Sequence, residues 1–128
     1  RRSMIKIYGE IHSSKNSREI HRNRRTGQPY VAKSKAAKAD ESMLADQLAL
    51  HRREWEDMTA GKGYPVWVMI CFRCKTHAKW DFINLVQGLA DAMVTAGYIP
   101  DDDVDHFIPI YAGHEVNKKF PGVDFWIA

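Results

Sequence analysis

Five oxygen-bearing side chains in the second half of the chain could bind a metal ion. They are Asp81, Asn84, Asp91, Asp101 and Asp102. Hard divalent cations such as Mg²⁺ take oxygen ligands, commonly one or two carboxylates completed by waters and substrate phosphates. A metal ion held in this way can activate water and neutralise charge on the oxygens of a phosphodiester. Asp81, Asp101 and Asp102 are therefore suitable ligands for a hydrolytic metal site.

The same carboxylates also have a purely structural interpretation. Asp is favoured at helix N-caps and in turns, so Asp81 could simply begin a helix and Asp101–Asp103 could simply form a turn. A helix of about 15 residues between them would be ~22 Å long. The acids can meet at one ion only if the segment after Gly97 runs back along that helix, or if a second subunit supplies the missing carboxylate.

The helix that would position these groups extends from Asp81 to Gly97. Its apolar side chains recur at helical spacing and predict one core-facing stripe. The stripe consists of Phe82, Leu85, Val86, Leu89, Met93 and Ala96. A second, narrow face beside Asp81 carries Asn84, Gly88, Asp91 and Thr95. The helix therefore separates a core face from a face of acids and amides.

The rest of the chain predicts an α+β fold, a single domain over residues 1–128 in which a mixed sheet is packed by two long helices. The first helix is expected from Lys35 to Met58 with Ser34 as its N-cap, and its buried line is Ala37, Leu44, Leu48 and Trp55. Strands are expected at Met4–Ile11, Val66–Phe72, Val104–Tyr111 and Val123–Ile127, with a hairpin or basic loop within Arg18–Lys38 and a polar loop over Gly113–Gly122. Val66–Phe72 is apolar on both faces, which indicates a central strand, whereas Pro109 indicates an edge strand or a bulge.

Composition excludes several other classes of protein. The chain is 45% hydrophobic and 27% charged, as is usual for a globular domain, and no apolar run approaches the ~20 residues of a membrane span. The opening residues lack the hydrophobic stretch of a secretory signal, so we expect a cytoplasmic protein with no membrane partner. Cys71 and Cys74 have the spacing of a zinc motif, but a strand would point them to opposite faces and no second pair exists. We therefore do not expect Cys71 and Cys74 to form a zinc site.

Charge is distributed unevenly along the chain. Residues 1–53 contain 13 Lys and Arg against 5 Asp and Glu, whereas residues 54–128 contain 6 against 11. The cations of the first half concentrate in Arg18, Arg22, Arg24, Arg25, Lys33, Lys35 and Lys38. Such a segment suits contacts with phosphates, which release counterions regardless of base sequence. The alternative interpretation is that the two halves of the chain form solvated surfaces of opposite charge that attract each other.

Several short motifs occur in an order that matches a known family. The most specific is Asp81-x-x-Asn84-Leu85 followed by Asp91-Ala92-Met93, Ala96-Gly97-Tyr98 and Asp101-Asp102, and weaker ones are Ser13-Ser14-Lys15-Asn16, Gln28-Pro29-Tyr30-Val31 and Tyr64-Pro65-Val66. Over most of the chain this order resembles the RusA family of phage and prophage Holliday-junction resolvases. The members of that family are small dimeric Mg²⁺-dependent endonucleases.

The resemblance implies a role for each matching position. Asp81 corresponds to the first catalytic aspartate and Asp102 to the aspartate of the later Asp-Asp pair, so both are expected to bind Mg²⁺, or Mn²⁺ in its place. The expected helpers are Asp101, as a further metal ligand, Asp91 and Asn84. Lys79 is expected near the scissile phosphate, and Arg18, Arg22, Arg24, Arg25, Lys33 and Lys35 are expected to bind the DNA arms.

Two positions depart from the family pattern. Ile83 stands where the family has a second catalytic Asp, and Gln87 stands where it has a Lys. An Ile cannot bind a metal ion, and Gln supplies a hydrogen bond but no charge. Despite these departures, the resemblance implies a symmetric dimer that resolves four-way DNA junctions by phosphodiester hydrolysis. The alternative is a branched-DNA-binding protein with a degenerate active site.

Overall fold

Two helices and six strands make up the part of the chain that the computed structural model describes, which is residues 3–12, 18–77 and 80–128, with the backbone alone for residues 18–21 and 30–33. In chain order they are β1 (Ile5–Tyr8), β2 (Arg18–Arg22), β3 (Pro29–Lys33), α1 (Lys35–Thr59), β4 (Val66–Cys74), α2 (Phe82–Thr95), β5 (Phe107–Val116) and β6 (Gly122–Ile127). The predicted α+β fold, a mixed sheet packed by two helices, is confirmed. No helix in these ranges combines the length and apolarity needed to cross a membrane.

Four of the strands form the main sheet, in the order β1-β6-β4-β5. β4 runs parallel to β5 and antiparallel to β6, which in turn is antiparallel to β1. β4 is thus an interior strand, as its two apolar faces predict. β5 lies at the edge and contains Pro109 opposite Val68, an edge position that tolerates the missing N–H of proline. α2 is the crossover between β4 and β5, and β2 and β3 form a separate hairpin.

The boundaries of β1 and β5 differ most from the sequence prediction. β1 ends at Tyr8 instead of Ile11, because Gly9 takes a φ of +106° and its N–H bonds to the carbonyl of Pro121 at 2.9 Å. β5 begins at Phe107 and continues through Val116, so the prediction of a polar loop from Gly113 was wrong for its first residues. An edge strand can leave polar side chains in solvent, and polar composition alone therefore did not distinguish this strand from a loop.

The core lies between the two helices and one face of the main sheet. The buried residues of α1 are the predicted Ala37, Leu44, Leu48 and Trp55, and those of α2 are Val86, Leu89, Ala90 and Met93. They pack against alternate residues of the strands, including Ile5, Ile7, Val68, Ile70, Phe72, Val123 and Phe125. Ser34 caps α1 as predicted, accepting a hydrogen bond from the Ala37 N–H at 3.1 Å.

The turn after α2 is anchored to α1. Gly97 takes a φ of +77° just beyond the helix, and the Tyr98 N–H bonds to the Met93 carbonyl at 2.8 Å. The buried Tyr98 hydroxyl donates to the Leu48 carbonyl at 2.5 Å, and the Trp55 indole N–H donates to the Tyr98 carbonyl at 2.8 Å. Burial of this hydroxyl raises the pKa of Tyr98. Tyr98, which precedes the turn formed by Asp101–Asp103, is therefore fixed to the core.

Candidate functional site

The first acid of the predicted site, Asp81, is the N-cap of α2. Its Oδ1 accepts a hydrogen bond from the Ile83 N–H at 3.2 Å, and its Oδ2 accepts one from the Asn84 amide at 3.4 Å. The capping role considered from sequence is thus confirmed. Asp81 remains solvent-exposed, so capping leaves its carboxylate accessible to an ion or a phosphate ligand.

Two further acids meet at the middle of α2. The Gln87 Nε2 group donates to Asp91 Oδ1 at 2.8 Å and to Asp102 Oδ2 at 3.0 Å. One neutral amide therefore lies between two carboxylates. The segment after Gly97 does run back along α2 within a single chain, and it places Asp102 on the acid-and-amide face of the helix.

The structure does not bring all of the predicted ligands to one point. Gln87 lies six residues beyond Asp81, which is a rise of ~9 Å along a helix axis. Among the described residues, Asp81, Asp101 and Asp102 do not form a group of carboxylates with oxygens within 4.8 Å of one another. Asp101 Oδ1 instead accepts the Asp102 N–H at 2.8 Å inside the turn. The acids thus form two sets, one at the head of α2 and one at its middle.

Asp81 and Asn84 line a cavity of about 290 Å³, here called the Asp81 cavity. Lys75 contributes a cation to it, and Trp80 and Leu85 supply apolar wall. The complete lining is Glu10, Ile11, His12, Phe72, Arg73, Cys74, Lys75, Thr76, Trp80, Asp81, Asn84, Leu85, Pro121 and Gly122. The cavity therefore combines anionic, cationic and amide groups, but Asp91, Asp101 and Asp102 lie outside it.

An aromatic cluster fixes the head of α2 against β5. The rings of Phe82 and Tyr111 pack edge to face with centroids 5.0 Å apart, and those of Trp80 and His114 do so at 5.2 Å. The Tyr111 hydroxyl also hydrogen-bonds to His114 Nδ1. Because Trp80 and Phe82 flank Asp81 in sequence, their contacts with Tyr111 and His114 hold the N-terminus of the helix and its carboxylate against β5.

The predicted DNA-contacting residues divide by what the structure describes. Arg22, Arg24, Arg25 and Lys35 are exposed. The tip of the β2–β3 hairpin is ordered by Asn23, whose Oδ1 accepts the backbone N–H of Arg25 at 2.8 Å. Three guanidinium groups thus extend into solvent around a hydrogen-bonded turn. The side chains of Arg18 and Lys33, and the whole of Lys79, lie outside the described residues.

The two departures from the family pattern both lie on the surface. Ile83 is 75% exposed in the first turn of α2, although isoleucine is usually buried. Gln87 is exposed as well and is bound to two acids. Core packing therefore does not explain why position 83 carries isoleucine instead of a residue with a carboxylate.

A group of potential ligands that the sequence did not predict lies beside the Asp81 cavity. Glu10, His12 and Asp40 place one ligand atom each within 4.8 Å of one another, and His12 Nε2 lies 2.5 Å from Asp40 Oδ2. The spacing of Glu10 and His12 was an available signal, since residues two apart share one side of an extended segment. Asp40 is remote in sequence and gave no such signal.

The two cysteines have no arrangement that favours metal binding. Both thiols are free, and partial burial is the main cause that raises the pKa of Cys71 and of Cys74. For Cys71, the neighbouring carboxylates of Asp124 and Glu115 raise the pKa further. A raised pKa disfavours the thiolate, which is the form that binds metals.

No protein-family model matches the chain, and no curated protein matches it significantly.

Proposed function

We propose that this chain is a metal-dependent endonuclease that cuts branched DNA, such as a four-way junction, by phosphodiester hydrolysis and acts as a symmetric dimer. One observation carries the proposal. Asp102, which is far from Asp81 in sequence, returns to the acid-and-amide face of α2 and is held there by Gln87. Oxygen ligands of the type that Mg²⁺ and Mn²⁺ prefer thus face solvent along one helix.

In this proposal Asp81 and Asp102 bind the metal ion, with Asp101 as a further ligand. Binding requires the Asp101–Asp102 turn to move from Gln87 toward the head of α2. A hydrogen bond of this kind contributes only about 0.5–1.5 kcal/mol net, so an ion can displace Gln87 from Asp102. Carboxylate–metal attraction then compensates for the lost contact. Asn84, whose amide already bonds to Asp81, assists by holding waters of the ion, whereas Asp91 is ~15 Å further along the helix axis and stays bonded to Gln87.

Cations at two places on the described surface suit a polyanionic substrate. Lys75 lines the Asp81 cavity and can contact a phosphate that enters it. Arg24 and Arg25 extend from the hairpin tip, where phosphate contacts are independent of base sequence. Such contacts strengthen binding to any DNA, so preference for a junction must come from dimer geometry. Two sites related by a two-fold axis can cut two opposed strands of a four-way junction.

A second candidate, a branched-DNA-binding protein without cleavage activity, has its own support. Ile83 is exposed at the position where the resembled family has a carboxylate, and Asp81 lies ~9 Å along α2 from the level of Gln87. A site short of one ligand binds Mg²⁺ weakly. The basic hairpin would function in either case.

A junction-cleavage assay distinguishes the two candidates. Labelled four-way junction and linear duplex are incubated with the protein in Mg²⁺, Mn²⁺ or EDTA. We expect paired nicks in the junction, and we expect Asp102→Asn to reduce their rate by roughly 100-fold, the effect typical of losing one charge-stabilising group. Asp57→Asn, an equal charge change at an exposed position of α1, should leave the rate unchanged. Tight junction binding without nicks in either metal would establish the binding protein instead.

A further inference from the structure

Three potential metal ligands come together from two distant parts of the chain. Glu10 and His12 lie on the segment that follows β1, and Asp40 lies on α1. Their ligand atoms are within 4.8 Å of one another. The side chains of His12 and Asp40 are 23% and 25% exposed, so the pair is shielded but open to an ion from solvent. We call these three residues the Glu10–His12–Asp40 cluster.

The backbone that carries Glu10 and His12 is fixed at two points. The Gly9 N–H bonds to the Pro121 carbonyl at 2.9 Å. The carbonyl of His12 lies so close to α2 that a Cβ on Gly88 would be 2.5 Å from its oxygen. Since the segment is in direct contact with the helix, the fold sets the backbone positions of Glu10 and His12.

We propose that the Glu10–His12–Asp40 cluster binds one transition-metal dication, Zn²⁺ or Mn²⁺, at a site separate from the acids of α2. One imidazole and two carboxylates form a mixed nitrogen and oxygen set, and imidazole favours Zn²⁺ and similar ions over Mg²⁺. Three protein ligands leave coordination positions for water or a phosphate oxygen. The imidazole of His12 and the carboxylate of Asp40 are already hydrogen-bonded to each other, so two of the three ligands point to a common place.

The position of the cluster gives the bound ion a second consequence. Glu10 and His12 line the Asp81 cavity, and His12 also lines a groove of about 700 Å³ between α1 and α2. An ion on these residues therefore adds positive charge to the wall of the cavity and joins the segment after β1 to α1. Metal binding at the cluster does not depend on the nuclease proposal.

The test is a titration of the metal-free, untagged protein with Zn²⁺ and Mn²⁺ by isothermal calorimetry, with Co²⁺ as a spectroscopic probe. We expect one ion per chain and a rise in Tm on metal addition. His12→Ala and Glu10→Gln should each weaken binding by at least about 10-fold, because each removes one ligand. The matched control is His106→Ala, since His106 also lies 2.5 Å from an acid, Asp103, but no third ligand of the described residues completes a group there.

The outcomes separate clearly. Weaker metal binding by both His12→Ala and Glu10→Gln, with His106→Ala unchanged, supports the site. This result does not depend on the outcome of the junction-cleavage assay. Equal Zn²⁺ affinity in the wild type, His12→Ala and Glu10→Gln overturns the proposal, as does the absence of binding. Thiolate-to-Co²⁺ charge-transfer bands would overturn it too, because they would assign the ion to Cys71 or Cys74.

Discussion

Gln87 stands between two carboxylates that would otherwise repel each other. Its amide donates one hydrogen bond to Asp91 and one to Asp102 and carries no charge. Both acids are exposed to solvent near the middle of α2. A site of this kind attracts cations, and the neutral amide is a weaker competitor for the acids than a lysine ammonium would be.

Ile83 provides the sharpest test of the metal site at the level of single residues. We predict that Ile83→Asp raises the affinity for Mg²⁺ or Mn²⁺ by at least about 10-fold, since it adds a carboxylate beside Asp81. The fold should tolerate the change, because Ile83 is 75% exposed and a negative charge is favourable in the first turn of a helix. Calorimetric titration and the junction assay both measure the gain.

Ile83→Asn is the matched control for this prediction, because it removes the same apolar side chain without adding charge. Asn should leave metal affinity close to that of the wild type. An equal response to Asp and Asn would contradict the prediction and would mean that position 83 does not face the ion. Circular dichroism of both variants checks that α2 is intact.

The sequence allowed some residues of the candidate site to be predicted and not others. Asp81 was identified as a possible N-cap because capping is local, depending on residues within one turn. The contact of Asp102 with Gln87 required the chain to turn back after Gly97, which the sequence allowed but did not require. Asp40 could not be predicted at all, since its proximity to His12 depends on how α1 and β1 pack.

At the level of elements, the position of the segment after β1 depends on a glycine in α2. We predict that Gly88→Ala destabilises the protein, because the new Cβ would lie 2.5 Å from the backbone oxygen of His12. Overpacking of this kind costs about 1–3 kcal/mol, against a gain of about 1 kcal/mol in helix propensity. Urea denaturation measures the net change, which we expect to be a loss of about 1 kcal/mol.

Gly63→Ala is the control for this experiment, as a Cβ there meets nothing within 4 Å. Its free energy of unfolding should stay within about 0.5 kcal/mol of the wild type. A stabilised Gly88→Ala variant would show that the segment moves away from α2 without cost. The same variant should bind Zn²⁺ more weakly if His12 is displaced.

Elements with strong periodicity were the most predictable part of the fold. The buried line of α1 and the core stripe of α2 follow from 3.6-residue spacing, and β4 follows from an unbroken apolar run. β5 was less predictable, because His114 and Glu115 are polar and belong to an edge strand. Its extension depends on pairing with Phe72 and Arg73, a contact between elements that local pattern does not encode.

At the scale of the whole molecule, one face of the main sheet is covered by neither of the two helices found in the described residues. Both helices pack against the other face. Strand alternation and register place apolar residues at the centre and the β5 side of this outer sheet face, and the charged Lys6 and Asp124 at its β1 side. The apolar residues are Trp67, Met69, Cys71, Ile108, Ile110 and Trp126. Trp67 is 52% exposed there. An apolar sheet face of this kind suits packing against the same face of a second copy, which a two-fold axis would generate.

We predict that Trp67→Glu weakens dimerisation. A charge in an apolar interface is costly, and we expect the dissociation constant to rise at least about 100-fold, equivalent to about 2.7 kcal/mol. Sedimentation equilibrium over a range of protein concentrations measures this constant. Leu50→Glu is the control, since Leu50 is 81% exposed on α1 and lies away from the sheet. A wild-type protein that stays monomeric at all concentrations, or equal effects of both variants, would contradict the prediction.

The pairing of β1 with β6 has a consequence for the order in which the molecule assembles. Ile5 pairs with Phe125, nearly the full length of the chain away, whereas β4, α2 and β5 are consecutive in sequence. Closing the longer loop costs more chain entropy, so we expect the β4–α2–β5 unit to form first and β1 to dock late. The acids of α2 are then in place before Glu10 and His12 reach Asp40. An ion bound by those three residues would therefore stabilise only the completed native state, in which β1 has docked.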